Sequence, residues 1–377
     1  MLLGFKTELK LNNYQRTFLL KHCGVSRHAW NWGLALTKQI LEHNKNNPNS
    51  KIKFPTAIDL HKYLVALVKP ENLWYYECSK SAPQSALRAL STAWKRCFTG
   101  VSSQPKFKKK GKSDSFTLEG TCKIIDNFTI QVPKIGKLKT HERLPQSEKV
   151  KSVTISRQAD RWFISFKIDT QTQELDNKSI VGVDLGVKSL ATLSTGEVIE
   201  GAKSYRKNKS KLARLQWINR NKIIGSNNWK KAQLKIARLH KKIASIRKDT
   251  IHKLTSLLTK NHGTIVIEDL NVSRHLLQRR EPPQRSGSGM MKNHKLAGAI
   301  ADMGFYEIRR QLEYKCELYG SKLVIVDRWF PSSKTCSNCG YKKETLSLSE
   351  RVFNCENCNF TIDRDLNAAI NLSLAVS

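Results

Sequence analysis

Four cysteines constrain this chain more than any other residues. Cys336 and Cys339 in "CSNC" and Cys355 and Cys358 in "CENC" are spaced C-x2-C-x15-C-x2-C. Each C-x2-C lets two thiolates of one tight turn face the same ion, and two such turns supply a closed tetrahedral shell. The pattern predicts one structural Zn2+, no open position for chemistry, and a metal-folded ribbon over residues 331–362. A redox pair of CxxC motifs is the rival, but neither motif heads a helix in a thioredoxin-like βαβ pattern. The other five cysteines, Cys23, Cys78, Cys97, Cys122 and Cys316, fall into no pattern and read as small buried apolar residues.

At 377 residues the chain exceeds one small core and is expected to divide into two or three domains. Sixty-six Lys plus Arg against thirty-one Asp plus Glu give a formal charge of +35, and the pI is near 10.0. Such a surface draws in polyanions, and nucleic acid is the expected partner. Eight Trp, thirteen Phe and 39% hydrophobic residues indicate folded cores rather than a basic tail. The first residues lack a charged segment followed by a long apolar run, and no later run reaches the roughly 18 apolar residues a membrane span needs. We therefore expect no membrane partner and a cytoplasmic protein.

Residues 2–10 read as a strand, and from Asn13 to about His43 apolar residues recur at helical spacing. A second helix runs from Ser81 to Phe98, with Pro83 in its first turn. After the basic loop "QPKFKKKGKSDSF", the stretches "CKIIDNFTIQVP", "VKSVTISRQ" and "RWFISFKID" alternate as half-buried strands do. They predict a small antiparallel barrel that the first strand could complete. From Lys178 the text changes to buried strand, turn and second strand, as in an α/β domain. Residues 201–248 contain no acidic residue and predict a basic helical hairpin. "TIVIEDLNV" and "KLVIVD" are further strands, "RREPPQRSGSGMMK" reads as a mobile loop, and residues 297–320 read as helical.

Three carboxylates stand out. Asp184 lies in the apolar run "IVGVDLG", where an isolated charge costs on the order of several kcal/mol unless it is exposed, paired or metal-bound. Glu268 ends "TIVIE" in the same way, and Asp365 opens the apolar helix "DLNAAINLSLAV". Each alone could be a cap or a salt-bridge partner, and Asp363 competes with Asp365 for the cap. Together, two acids on central strands and one on a helix packed across them form a set that repels itself unless cations intervene. Two Mg2+ ions and in-line phosphodiester hydrolysis are the chemistry that such a set serves.

"GVDLGVKSLATLSTG", "IVIEDLNV", "FPSSKTCSNCG" and "CENCNFTIDRDLNAAINL", in this order, resemble the RuvC-like nuclease of the TnpB family, transposon-encoded relatives of type V CRISPR effectors. "LNNYQRTFLLKHCGVSRHAWNWGL" and "FKKKGKSDSFTL" are also similar to that family. The resemblance implies a multi-domain α+β protein. It would have an RNase H-like (RuvC) domain over 178–377, with its basic hairpin at 201–260 and an inserted four-cysteine zinc ribbon at 331–362. A WED-type β-barrel would use residues 1–11 and 106–177, with a helical recognition module at 12–105. The family's metal-binding acids match Asp184, Glu268 and Asp365, the last because it directly precedes "LNAA". The resemblance also implies a guide RNA made from the transposon end, and a double-stranded target read by base pairing beside a short flanking motif. Lys80 and Gln84, about one turn apart, are candidates to meet bases there, since Gln suits adenine in the major groove. Lys108, Lys109 and Lys110 are candidate backbone contacts, and either a monomer or a homodimer is compatible with the sequence. The rival functions are a guide-directed DNA-binding repressor that does not cut and a protein-guided transposase or resolvase. Loss of an acid would favour the first, and a helix-turn-helix for terminal repeats the second.

Overall fold

The computed structural model describes residues 1–146, 150–173, 177–270, 294–347 and 349–376. Two compact units are formed, Met1–Thr170 and Gln171–Ser377. In the first, β1 (Leu2–Lys10), β2 (Ser115–Asp126), β3 (Thr129–Val132), β4 (Gly136–Thr140), β5 (Val150–Gln158) and β6 (Arg161–Asp169) close into a barrel of order β1-β4-β3-β2-β5-β6. The alternation seen in the sequence drives closure, because Phe116, Leu118, Val153, Ile155, Ile164 and Phe166, spaced two apart on each strand, all face one core. The first strand completes the ring as expected, pairing antiparallel with both β4 and β6.

Helices α1 (Asn13–Asn46), α2 (Ala57–Tyr63) and α3 (Ser81–Phe98) belong to the same unit. A capping box opens α1: the Asn12 side chain accepts the Gln15 N–H at 2.8 Å, and the Gln15 side chain accepts the Asn12 N–H at 3.1 Å. The basic loop after α3 is tied to α1 by three hydrogen bonds. The Trp30 indole donates to the Lys106 carbonyl at 3.0 Å, and Asn31 both donates to the Lys108 carbonyl and accepts its N–H. Of the unpatterned cysteines, Cys23, Cys78, Cys122 and Cys316 are buried, as their reading requires, whereas Cys97 is only half-buried.

The second unit is built on a five-stranded sheet of order β11-β10-β7-β8-β9. Its strands are β7 (Ile180–Asp184), β8 (Ala191–Leu193), β9 (Val198–Ile199), β10 (Thr264–Glu268) and β11 (Lys322–Val326). β7, β8 and β9 are antiparallel neighbours, whereas β10 lies parallel to both β7 and β11. The basic hairpin is α4 (Ser204–Arg220) and α5 (Asn227–Asn261), held by its own core of Leu212, Ile236, Leu239 and Ile243. The expected helical stretch over 297–320 is two helices, α6 (His294–Met303) and α7 (Phe305–Tyr319). They part at Gly304, whose φ of 72° a side chain would strain and whose added Cβ would meet Ile251 at 2.9 Å. Asp302 of α6 is buried and caps α4 from another element, accepting the Ser204 hydroxyl and the Tyr205 N–H at 3.0 Å and the Arg206 N–H at 3.2 Å. The loop read at "RREPPQRSGSGMMK" lies outside the described residues. Among the described residues no helix is long and apolar enough to cross a membrane.

The last elements are β12 (Val352–Asn354), β13 (Thr361–Asp363) and helix α8 (Arg364–Leu374). α8 packs on β7 with no room to spare. A Cβ built on Gly182 would stand 2.0 Å from the Ala369 carbonyl oxygen and 2.6 Å from the Ser373 nitrogen. Only glycine lets the helix backbone lie directly on the strand, while Ser194 holds Gly182 from the other side by a 3.1 Å bond to its N–H.

Candidate active site

Because β7 and β10 are parallel, with Ile267 opposite Val183, their final residues Asp184 and Glu268 reach the same edge of the sheet. α8, seated on Gly182, brings its first turn and Asp365 to that edge. Electrostatics registers the convergence: burial first, then the charges of Asp365 and Glu268, push the Asp184 carboxyl up to about 7, with Asp363 adding and Arg364 opposing. The Glu268 carboxyl is raised as well, by burial and then by Asp269. Asp269 itself is paired with Arg309 at 2.8 Å.

The competition between the two acids of the last helix resolves at the cap. Asp363 is the N-cap, and its side chain accepts the N–H groups of Asp365 at 2.9 Å and Leu366 at 3.1 Å. The helix therefore opens at Arg364, one residue earlier than the expected opening at Asp365. Among the described residues the Asp365 carboxylate, unlike its N–H, makes no hydrogen bond or ion pair and is available to a ligand. Among those residues only the four cysteines form a set whose ligand atoms all lie within 4.8 Å. The three carboxylates do not form so tight a set.

The cysteine cluster is built from two matching turns. The Cys336 N–H donates to the Tyr341 carbonyl at 2.8 Å and the Gly340 N–H donates back to Cys336 at 2.9 Å. The Cys355 N–H to Phe360 at 2.8 Å, and the Asn359 N–H to Cys355 at 3.1 Å, repeat the figure. In both turns the residue after the second cysteine has a positive φ, 75° at Gly340 and 56° at Asn359. Each turn also reaches across to the other: Asn338 donates to the Cys358 sulfur and Asn357 to the Cys339 sulfur, both at 3.6 Å. The N–H of Tyr341 and then the Asn357 amide hold the Cys339 thiol below its ordinary range, whereas burial pushes the Cys336 thiol up. Sulfur separations of 3.7 Å (Cys336 to Cys358) and 3.5 Å (Cys339 to Cys355) are too long for disulfides and match the roughly 3.8 Å edge of a tetrahedral zinc–thiolate shell.

Two asparagines that sequence reasoning left unassigned join the cluster to α8. Asn367, fully buried, donates to the Thr335 carbonyl at 2.7 Å and accepts the Ser337 N–H at 3.0 Å. Asn371 donates to the Ser332 carbonyl at 2.8 Å and the Thr335 carbonyl at 2.6 Å. Both lie in the quoted "LNAAINL", and the signal that could have found them is two polar residues four apart on an apolar helix face. A Cys355→Ser chain is therefore expected to lose ribbon and helix together, giving a lower folding yield and a site without Asp365. Zinc analysis and thermal melting check this, and wild-type zinc content with a wild-type melt would remove the bracing role.

The candidate nucleic-acid residues lie in the first unit and are not equivalent. Lys80 is exposed at the start of α3 and lines, with Glu119, Gln131 and Lys134, a cavity of about 660 Å3. Gln84 is half-buried one turn on. Lys109 and Lys110 are exposed, but the Lys108 ammonium sits 4.1 Å above the Trp30 ring and burial lowers its pKa. Its charge is engaged by the fold rather than displayed.

Profiles of known families match three segments: "Cas12f1-like, TNB domain" over residues 305–372, "Probable transposase" of the OrfB/IS605 type over 163–278, and a "Helix-turn-helix domain" of the same type over 1–46. InsQ of Escherichia coli (strain K12), assigned by name as an RNA-guided DNA endonuclease, is 34% identical over 99% of this chain and 92% of its own length. The chain belongs to the TnpB (OrfB/IS605) family. A family relative from Streptomyces pristinaespiralis, assigned the same activity by name, is 40% identical over 81% of this chain and 74% of its own. The CRISPR-associated endodeoxyribonuclease Cas12f1 of Sulfoacidibacillus thermotolerans is 25% identical over 57% of this chain and 50% of its own. A solved Cas12f1–sgRNA–target DNA complex shares the fold, with a TM-score of 0.53 at 17% identity, covering 95% of this chain and 82% of that one. Over the segment matched as helix-turn-helix, the structure has β1 and then the single 34-residue helix α1.

Proposed function

We propose that the chain is a transposon-associated RNA-guided DNA endonuclease whose phosphodiester hydrolysis takes place at Asp184, Glu268 and Asp365. The observation that carries the reading is the Asp184 carboxyl, pushed up to about 7 because burial and two further acids crowd it. A protein gains nothing structural from such crowding, and functional sites are where it accumulates. The strand order, with three antiparallel strands followed by two parallel ones, supports an RNase H-like, RuvC-type sheet. The closed barrel would be the WED-type module and α1 to α3 the recognition module.

Two Mg2+ ions bound there would activate a water and stabilise the leaving oxygen of the scissile phosphate. The chain's own part is to hold three carboxylates on rigid elements: Asp184 and Glu268 on paired strands, and Asp365 on a helix fixed by Gly182 and the ribbon. One Zn2+ held by Cys336, Cys339, Cys355 and Cys358 would keep that ribbon folded. The +35 charge would hold a guide RNA from the transposon end and its heteroduplex through backbone contacts. Lys80 and Gln84 would meet the short flanking motif of the target duplex.

The test is to express the chain with its native flanking DNA, sequence the RNA that copurifies, and supply a matching duplex with Mg2+. A discrete RNA crossing the element's end, followed by cutting of the matching duplex alone, is the expected result. Heterogeneous RNA that salt removes, with no guided cutting, would overturn the reading and favour a protein-guided recombinase.

A further inference from the structure

An exposed tryptophan stands beside the carboxylate edge, and nothing above uses it. Trp329 is 79% exposed, the highest value among the described tryptophans. Its place follows from sheet register: β11 runs parallel to β10 with Val326 opposite Glu268, and Trp329 is three residues beyond Val326. Its Cα therefore lies within about 11 Å of Val326 and, one strand spacing further, within about 16 Å of the Glu268 backbone, inside the span of two or three nucleotides. The turn that presents it is formed. The Asp327 carboxylate accepts the Trp329 N–H at 2.8 Å and the Asp327 carbonyl accepts the Phe330 N–H at 2.9 Å. The exposed Arg328 guanidinium lies 5.0 Å from the indole centre. An indole held out on an ordered turn, with a cation against it and acids nearby, suits an unpaired base followed by its phosphate.

We propose that Trp329 is a substrate-positioning residue: its ring stacks on a base of the unpaired DNA strand and aligns the adjoining phosphate with Asp184, Glu268 and Asp365. The proposal rests on the carboxylate reading above. Duplex DNA offers no free base face at that edge, so the occupant is single-stranded DNA and the contact forms only after the target is opened.

The test uses the full chain with its guide RNA and a matching target carrying 2-aminopurine in the displaced strand next to the cut position. In a non-cutting Asp184→Ala background, the probe is expected to be quenched by the indole and to brighten when Trp329→Ala is added. With Asp184 intact, Trp329→Ala is expected to slow cutting about tenfold at unchanged target binding, since one base stack contributes a factor of about 5 to 150. Trp329→Phe restores most of the rate, whereas Trp329→Leu, apolar without a ring face, does not. Unchanged quenching in Trp329→Ala, or equal rescue by Leu and Phe, overturns the proposal. Undiminished cutting by Asp184→Ala alone would instead overturn the carboxylate site, so the two failures are distinguishable.

Discussion

An Asp184→Ala chain is expected to bind its RNA and the matching duplex as the wild type does, and to cut about a thousandfold more slowly or less. Asp184 is the most crowded of the three acids, with burial, Asp365 and Glu268 all acting on it. Its loss takes away oxygen ligands that no described neighbour can replace, and several kcal/mol of transition-state stabilisation go with them. The basic surface and the barrel are untouched, so binding and cutting separate. Single-turnover cleavage with a parallel gel-shift measurement checks the pair of results, and cutting near the wild-type rate would remove Asp184 from the site.

The same residue sets a pH dependence whose sign is fixed. Its folded-state pKa, about 7, lies above the ordinary carboxyl value, so the proton is held more tightly in the folded chain. The resulting stability is fully present below about pH 4 and is lost as pH rises through 7. For the metal-free chain this one group should cost roughly 3–4 kcal/mol between pH 4 and pH 8. Asp184→Asn is expected to flatten that part of the profile and to melt higher than the wild type at pH 8. Adding Mg2+ should stabilise the wild type at pH 8 and leave Asp184→Asn largely unmoved.

The second large effect is expected from a single methyl group. Gly182→Ala would place a carbon 2.0 Å from the Ala369 carbonyl oxygen, where both neighbours are backbone and neither can swing aside. Overpacking of a flexible core costs about 1–3 kcal/mol, and two rigid backbones put this site at or above the upper end. α8 must lift from β7, carrying Asp365 with it and straining the bonds from Asn367 and Asn371. Cutting should fall to the level of an Asp365 variant, with the second unit melting earlier while the first unit's transition stays in place. Differential hydrogen exchange on α8 and β1 measures this directly, and equal protection in both would show that the helix tolerates the methyl group.

Particular residues show how far the sequence could be read. Asp184 and Glu268 stood out because two carboxylates each end an apolar run, although either alone could have been a salt-bridge partner; their approach in space, registered at Asp184, needed the fold. The barrel was legible from alternation, and the ribbon from cysteine spacing. Which of Asp363 and Asp365 caps the last helix was not, since both lie at its start. It turned on which side chain folds back to the helix N–H groups, a matter of one backbone angle. The helical reading of 297–320 did not say where the stretch breaks; the positive φ of Gly304 shows that the chain turns there. Asn367 and Asn371 were hidden because their partners are carbonyls of a loop more than thirty residues earlier, which leave no mark on side-chain pattern. The helix-turn-helix description of the first 46 residues fails in the opposite way, since α1 runs unbroken through Gly24.

The three acids are also ordered in time. Asp184 leaves the ribosome first, Glu268 eighty-four residues later, and Asp365 only after all four cysteines have been made. A copy interrupted by a frameshift or a stop between β11 and Cys355 would keep the barrel, the basic hairpin and two acids, but neither the complete four-cysteine set nor the third carboxylate. Such a copy is expected to bind nucleic acid without cutting it, which a gel-shift beside a cleavage assay on a chain truncated before Cys355 checks. Decay of the element would then tend to leave DNA-binding remnants, and a nuclease stripped of its guidance would arise far less readily.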